Sequence, residues 1–199
     1  MDRAWNQSEV QKAVSLANAT GRQDVAWSLQ LARHAGLRIE EVTALTKSQL
    51  RNSLDKGYLS LQITKGGIAR DIPLTNPIKP IIREIVDRSN RERIFVQHGV
   101  AHHEAFKSIQ NWIYNHRNSF QEPWKEELES KYKGQLKIDH QRANLTAHGL
   151  RHSYAREQYH ERIEQGMDPQ KARKEVAVLL GHGRDSVTRI YLGRDNDDD

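Results

Sequence analysis

The chain has no cysteine at all. That single absence excludes a disulfide framework, thiolate metal sites and a cysteine nucleophile. Apolar residues are scarce too, at 36 % of 199 positions. No run approaches the roughly 20 consecutive apolar residues needed to cross a bilayer. The opening Met1-Asp2-Arg3-Ala4-Trp5 lacks the apolar stretch of a secretory signal. A cytoplasmic protein with no membrane partner is the expectation. Proline occurs only five times, and no Pro-rich linker, internal repeat or low-complexity block divides the chain. One domain with a real core fits this length.

Charge is what the chain has instead. Charged residues reach 29 % and the net charge is +5. The end of the chain, Arg194-Asp195-Asn196-Asp197-Asp198-Asp199, is acidic, so the body without it is more basic still. A basic body suits a polyanion such as nucleic acid, although a generically basic soluble protein has the same composition.

Periodicity predicts a mainly helical chain with one small antiparallel sheet. Ser8 can cap a first helix carrying Val10, Ala13, Val14 and Ala17, which Gly21 breaks. A second helix from about Asp24 buries Trp27, Leu29 and Leu31 and ends near Gly36. A short helix follows with Ile39, Val42 and Leu45 on one side, and Arg38 at its entrance can meet Glu41 three residues on. Leu59, Leu61 and Ile63 alternate with polar residues as a half-buried strand, and Lys65-Gly66-Gly67 turns into a second strand ending near Pro73. Lys65 is thus expected at a hairpin tip. Ile78, Ile81, Ile82, Ile85 and Val86 mark an amphipathic helix, and Ile94-Phe95-Val96 is a candidate third strand. Phe106, Ile109 and Ile113 mark another helix ending before Pro123. Residues 124–145 are charged and suggest a short helix with a long connection. A helix capped by Thr146 runs to about Gln165, and Pro169 opens the next, with Ala172, Val176, Leu179 and Leu180 as its buried stripe.

Residues 148–191 carry the clearest chemistry. His148 and Arg151 stand three apart just after a helix start, where the macrodipole and a guanidinium both favour a phosphate. Gly181 reads as a helix stop with His182 on the turn beyond, and Tyr191 follows nine residues later. A phosphate cradle followed by a phenol suggests attack of tyrosine on a phosphodiester. Each residue alone has an ordinary structural explanation; their order and spacing give the pattern its weight. His98, His102 and His103 lack a matching set of carboxylates for a metal. Trp112, Trp124 and Tyr114 read as packing residues, and Arg22, Arg33, Lys47 and Arg70 as candidates to touch a nucleic-acid backbone or simply be solvated.

Four segments together resemble the catalytic domain of the tyrosine recombinases, the phage integrase family. Ala35-Gly36-Leu37-Arg38-Ile39-Glu40-Glu41-Val42 is similar to its first arginine box. Thr64-Lys65-Gly66-Gly67 with Arg70-Asp71-Ile72-Pro73-Leu74 is similar to its lysine hairpin. His148-Gly149-Leu150-Arg151-His152-Ser153 is similar to its HxLRH box, and Leu179-Leu180-Gly181-His182 with Thr188 and Tyr191 to its closing box. The resemblance implies an α+β fold, mainly helical with a small three-stranded antiparallel sheet. It implies a catalytic domain over residues 1–192, an acidic tail over 193–199, and no N-terminal core-binding domain.

The activity implied is site-specific cleavage and rejoining of double-stranded DNA through a 3′-phosphotyrosyl bond. The implied catalytic set is Arg38, Lys65, His148, Arg151, His182 and Tyr191, with Glu41 in support. Arg38 and Arg151 would hold the non-bridging oxygens, which lysine could not do with the same planar fork. Lys65 would protonate the leaving 5′-hydroxyl, and a histidine would help take the proton from Tyr191. No cofactor or metal is expected, and a monomer in solution would assemble further on DNA. The alternatives are a non-catalytic DNA-binding regulator that kept the fold, and a metal-dependent phosphodiesterase, for which the chain lacks an evident ligand set.

Overall fold

Helix caps written into the sequence set most of the element boundaries. The computed structural model describes residues 4–62, 69–122, 144–181, 188 and 192. In it α1 (Gln7–Ala19) starts at Asn6, whose side chain accepts from the Glu9 amide while Glu9 reaches back to the Asn6 amide. This reciprocal pair outcompetes Ser8, the residue expected to cap, which lies inside the helix. The second helix, α2 (Gln23–Ala35), ends at Gly36 in the left-handed conformation. The short α3 (Ile39–Ala44) follows at once.

A helix that periodicity does not announce comes next. α4 (Lys47–Lys56) buries only Leu50 and Ser53, so its apolar stripe is thin. Its signal lies in its ends: Thr46 and Gln49 form a capping box, and Gly57 closes it with φ 79°.

Strand β1 (Tyr58–Leu61) pairs antiparallel with β2 (Arg70–Pro73), placing Leu59 opposite Ile72 and Leu61 opposite Arg70. Among the described residues the sheet has two strands, not the three expected. Ile94, Phe95 and Val96, the candidate third strand, are buried but form bends; the neighbouring Arg93 makes only an isolated bridge to Thr46. The segment is anchored by side-chain burial rather than by a ladder of backbone hydrogen bonds.

The remaining elements follow the reading closely. α5 (Ile78–Arg88) buries the five apolar residues predicted for it. α6 (His102–His116) passes into a 3-10 turn at Arg117–Ser119. α7 (Ala147–Glu164) starts at Thr146, which holds the N-cap position but, unlike the cap expected of it, makes no side-chain cap bond. α8 (Pro169–Leu180) starts at Asp168, whose side chain accepts from the Lys171 amide, and stops at Gly181. The expected connection over 124–145 falls almost wholly outside the described residues, as do the hairpin tip with Lys65, His182, and Tyr191.

α2 is the centre of the molecule. Trp27 and Leu31 face a core built with Leu50, Leu59, Ile72, Ile82 and Ile85. Val25, Leu29 and Ala32 face a second core with Ala13, Ile109, Trp112, Phe120 and Leu150. A helix apolar on both sides can be buried on both, and here it joins the sheet layer to the α1–α6 layer. A third cluster joins α7 to α8 through Tyr154, Ala155, Tyr159, Val176 and Leu180, and Leu192 packs into it.

Candidate active site

The site is built around one carboxylate. Because α2 stops at Gly36 and α3 starts at Ile39, Arg38 occupies the N-cap position and Glu41 the third position of the helix. Glu41 there accepts from the Arg38 backbone amide at 2.8 Å and from the Arg38 guanidinium at 3.0 Å. Strand β2 brings Arg70 to the same group, where it donates from both terminal nitrogens, at 2.9 Å to Oε1 and 2.8 Å to Oε2. Arg151, from the second turn of α7, lies 3.9 Å from Oε2. Three guanidinium groups from three elements therefore converge on one buried carboxylate.

Their exposure differs, and that separates their roles. The side chains of Glu41, Arg70 and Arg151 are 1 %, 4 % and 0 % exposed, against 27 % for Arg38. Arg38 is the cation of the group that solvent, or a ligand, can reach. Arg151 donates to the Gly36 carbonyl at 2.6 Å and to the Leu180 carbonyl. These bonds use two of its five N–H donors and tie α7 to the ends of α2 and α8. Burial opposes the charge on Glu41, but the Arg70 fork, the Arg38 amide and the Arg151 charge outweigh it and hold the carboxyl below its usual range.

Gly36 is required by more than its backbone. At φ +62° it favours glycine, and a Cβ built there would lie 2.3 Å from Cδ1 of Tyr154. Tyr154 itself is buried, and that burial pushes its phenol up to about 12. It is a packing residue beside the site rather than a ready nucleophile.

The first turn of α7 is set by Trp5, which no sequence pattern singled out. Its indole N–H donates to the Thr146 carbonyl at 2.9 Å, its backbone amide donates to Ser153 Oγ at 2.8 Å, and its ring stacks on Phe120. On the turn so fixed His148 is exposed, with its ring edge-to-face against the buried His152 at 5.2 Å. Arg151, three residues on, is fully buried, while His148 stays at the surface.

Of the other candidates, Arg70 is corrected most clearly: it is committed to Glu41 inside the protein and does not face solvent. Arg22 pairs with Asp24, Arg33 with Glu157, and Lys47 donates to the Ser89 carbonyl. Trp112 packs as expected, while Tyr114 is 65 % exposed with Arg117 over its ring. Trp124 lies outside the described residues. His102 sits 2.9 Å from Thr43 Oγ1. Among the described residues no group of three or more His, Asp or Glu is placed to hold a metal, and no helix is long and apolar enough to cross a membrane.

The arrangement of helices around a small sheet is that of tyrosine recombinase catalytic domains. The chain superposes on the XerA recombinase with a TM-score of 0.64 at 15 % identity, covering 98 % of this chain and 60 % of that one. On the catalytic domain of bacteriophage HP1 integrase the TM-score is 0.58 at 19 % identity, covering 96 % of this chain and 87 % of that one. A lambda integrase dimer bound to a COC′ core site gives 0.66 at 16 %, with 99 % of this chain and 49 % of that one covered.

In sequence, residues 5–197 match the model of the phage integrase family, and the chain belongs to that family. A tyrosine recombinase of Thermosipho africanus (strain TCF52B) is 27 % identical over 186 residues, 94 % of this chain. The chain spans 55 % of that relative's length.

Proposed function

We propose that this chain is the catalytic part of a site-specific DNA recombinase that breaks and rejoins strands by transesterification. The observation that carries this reading is the convergence of Arg38, Arg70 and Arg151 on Glu41, with the reachable Arg38 at the solvent side. A phosphodiester already bears negative charge, and its transition state gathers more on the oxygens. Fixed cations in a poorly hydrated site are therefore the largest help a protein can give.

The step follows from the residues. The Tyr191 oxygen attacks phosphorus, a 3′-phosphotyrosyl bond forms, and the bond from phosphorus to the 5′-oxygen breaks. His148 or His182 takes the phenolic proton, and Lys65 supplies one to the leaving 5′-hydroxyl. Arg38 hydrogen-bonds a non-bridging oxygen while Arg151 adds charge behind it; Glu41 stays ionised and orients them. The new ester keeps the energy of the broken bond, so a 5′-hydroxyl from another strand can reseal it. The family relationship, and structural neighbours such as the Tn1549 transposon integrase in complex with transposon right end DNA, support double-stranded DNA as the partner.

Covalent trapping tests this directly. The protein is incubated in EDTA with nicked suicide duplexes randomised around the nick, then separated on a denaturing gel. A protein–DNA band that Tyr191→Phe abolishes, with DNA binding retained, is the expected result. Binding without any band would favour the non-catalytic regulator, and a band that depends on added metal would overturn the metal-free chemistry.

A further inference from the structure

Arg70 has no part in the catalytic set above, yet it makes the most complete set of bonds at the site. All three nitrogens of its guanidinium are used: Nε donates to the Leu179 carbonyl at 2.9 Å, and the two terminal nitrogens take one oxygen each of Glu41. The residue is held from behind by strand pairing, opposite Leu61 in β1. Its neighbour in this arrangement is Arg151, which takes the next carbonyl, that of Leu180. The last carbonyls of a helix have no partner within it and lie at the negative end of its dipole. Here two of them are met by arginines that also approach Glu41.

We propose that Arg70 is a positioning residue for strand cleavage: it locks the Glu41 carboxylate and the C-terminal end of α8 in one frame, and so fixes where Arg38 and Arg151 stand relative to each other. This rests on the function proposed above. Glu41 has only two oxygens, and both are oriented by the Arg70 fork. Without that fork the carboxylate keeps the Arg38 amide on Oε2 but can swing about that bond, and the Arg38 guanidinium, which bonds to Oε1 alone, moves with it. Release of the Leu179 carbonyl frees the same helix turn that Arg151 grips. A lysine at position 70 keeps the charge but cannot supply three planar donors.

The test uses the full chain with Arg70→Gln, Arg70→Lys, Glu41→Gln and the double Glu41→Gln/Arg70→Gln, with folded fraction checked by circular dichroism at the assay temperature. Two quantities are read: titration of the Glu41 carboxyl by 13C NMR, and the rate of covalent capture as a function of pH. Arg70→Gln should raise the Glu41 titration midpoint, lower capture by roughly 100-fold as expected for a misplaced reacting group, and move the acid limb of the capture profile upward with Glu41. Arg70→Lys should keep Glu41 ionised near neutral pH and still lose capture, through geometry alone. The double variant should lose no more than Glu41→Gln. Wild-type capture rates in well-folded Arg70→Gln and Arg70→Lys would overturn the proposal, and so would losses that follow only the unfolded fraction. If the wild-type chain captures no DNA on any duplex, the functional reading is what fails. An unmoved Glu41 midpoint in Arg70→Gln then independently overturns the hold of Arg70 on that carboxylate.

Discussion

Gly36 and Tyr154 stand so close that one methyl group on the glycine would lie 2.3 Å from the tyrosine ring. The same glycine offers its carbonyl to Arg151. Gly36→Ala should therefore cost at least about 2 kcal/mol, the sum of left-handed backbone strain and a core clash. Urea denaturation measures the loss. Adding Tyr154→Leu should recover part of it, because the two residues share one space; strictly additive losses would argue against the contact.

Arg38 and Arg151 look equivalent in sequence, but their removal should differ sharply in stability. Arg38→Ala deletes a partly exposed side chain and should shift the melting temperature little while abolishing covalent capture. Arg151→Ala leaves the Gly36 and Leu180 carbonyls without this donor, and should cost about 3–5 kcal/mol, as breaking a buried polar cluster does. Parallel thermal melts and capture assays of the two variants make the comparison.

The depressed Glu41 carboxyl gives the stability a pH dependence of known sign. A group held ionised in the folded protein stabilises it above the unfolded carboxyl value, near about 4.3, and that contribution drains away as pH falls through the lower folded value. Urea midpoints should fall as the solution is acidified below about pH 4.5. In Glu41→Gln the fall should be shallower, on a midpoint already lowered at neutral pH.

Tyr154 and Tyr191 can be told apart chemically. With its phenol pushed up to about 12 by burial, Tyr154 is not poised to lose a proton. Tyr154→Phe should keep covalent capture within a few-fold of wild type, whereas Tyr191→Phe should remove it. Capture lost in both would show that Tyr154 takes part in the chemistry.

Much of this was legible before any coordinates. The α2 stripe, the five isoleucine and valine positions of α5, and the Pro169 and Gly181 limits of α8 follow from spacing and cap chemistry. The contact between Arg38 and Glu41 was readable because it spans three residues at a helix start. What spacing does not reveal is long-range partnership. Arg70 looks like any exposed strand arginine until β2 is seen to bring it to Glu41, 29 residues away in sequence. Trp5 gives no local sign that it will hold the start of α7, 141 residues away. α4 gives no clear periodic signal because only Leu50 and Ser53 on it are buried and its identity lies in its caps. Lys65, His182 and Tyr191 lie outside the described residues, so their roles rest on motif and chemistry.

The gathering of three guanidinium groups on a single carboxylate leaves a local surplus of positive charge. Folding has therefore assembled cations that repel one another, and an oxyanion arriving beside Arg38 would relieve that repulsion. Occupancy and folding become two readings of one equilibrium: whatever anion fits the site must raise the melting temperature, by an amount set by its affinity and concentration. The unoccupied protein then serves as its own sensor. Ranking small phosphate esters by the heat resistance they confer would report which anion the site prefers.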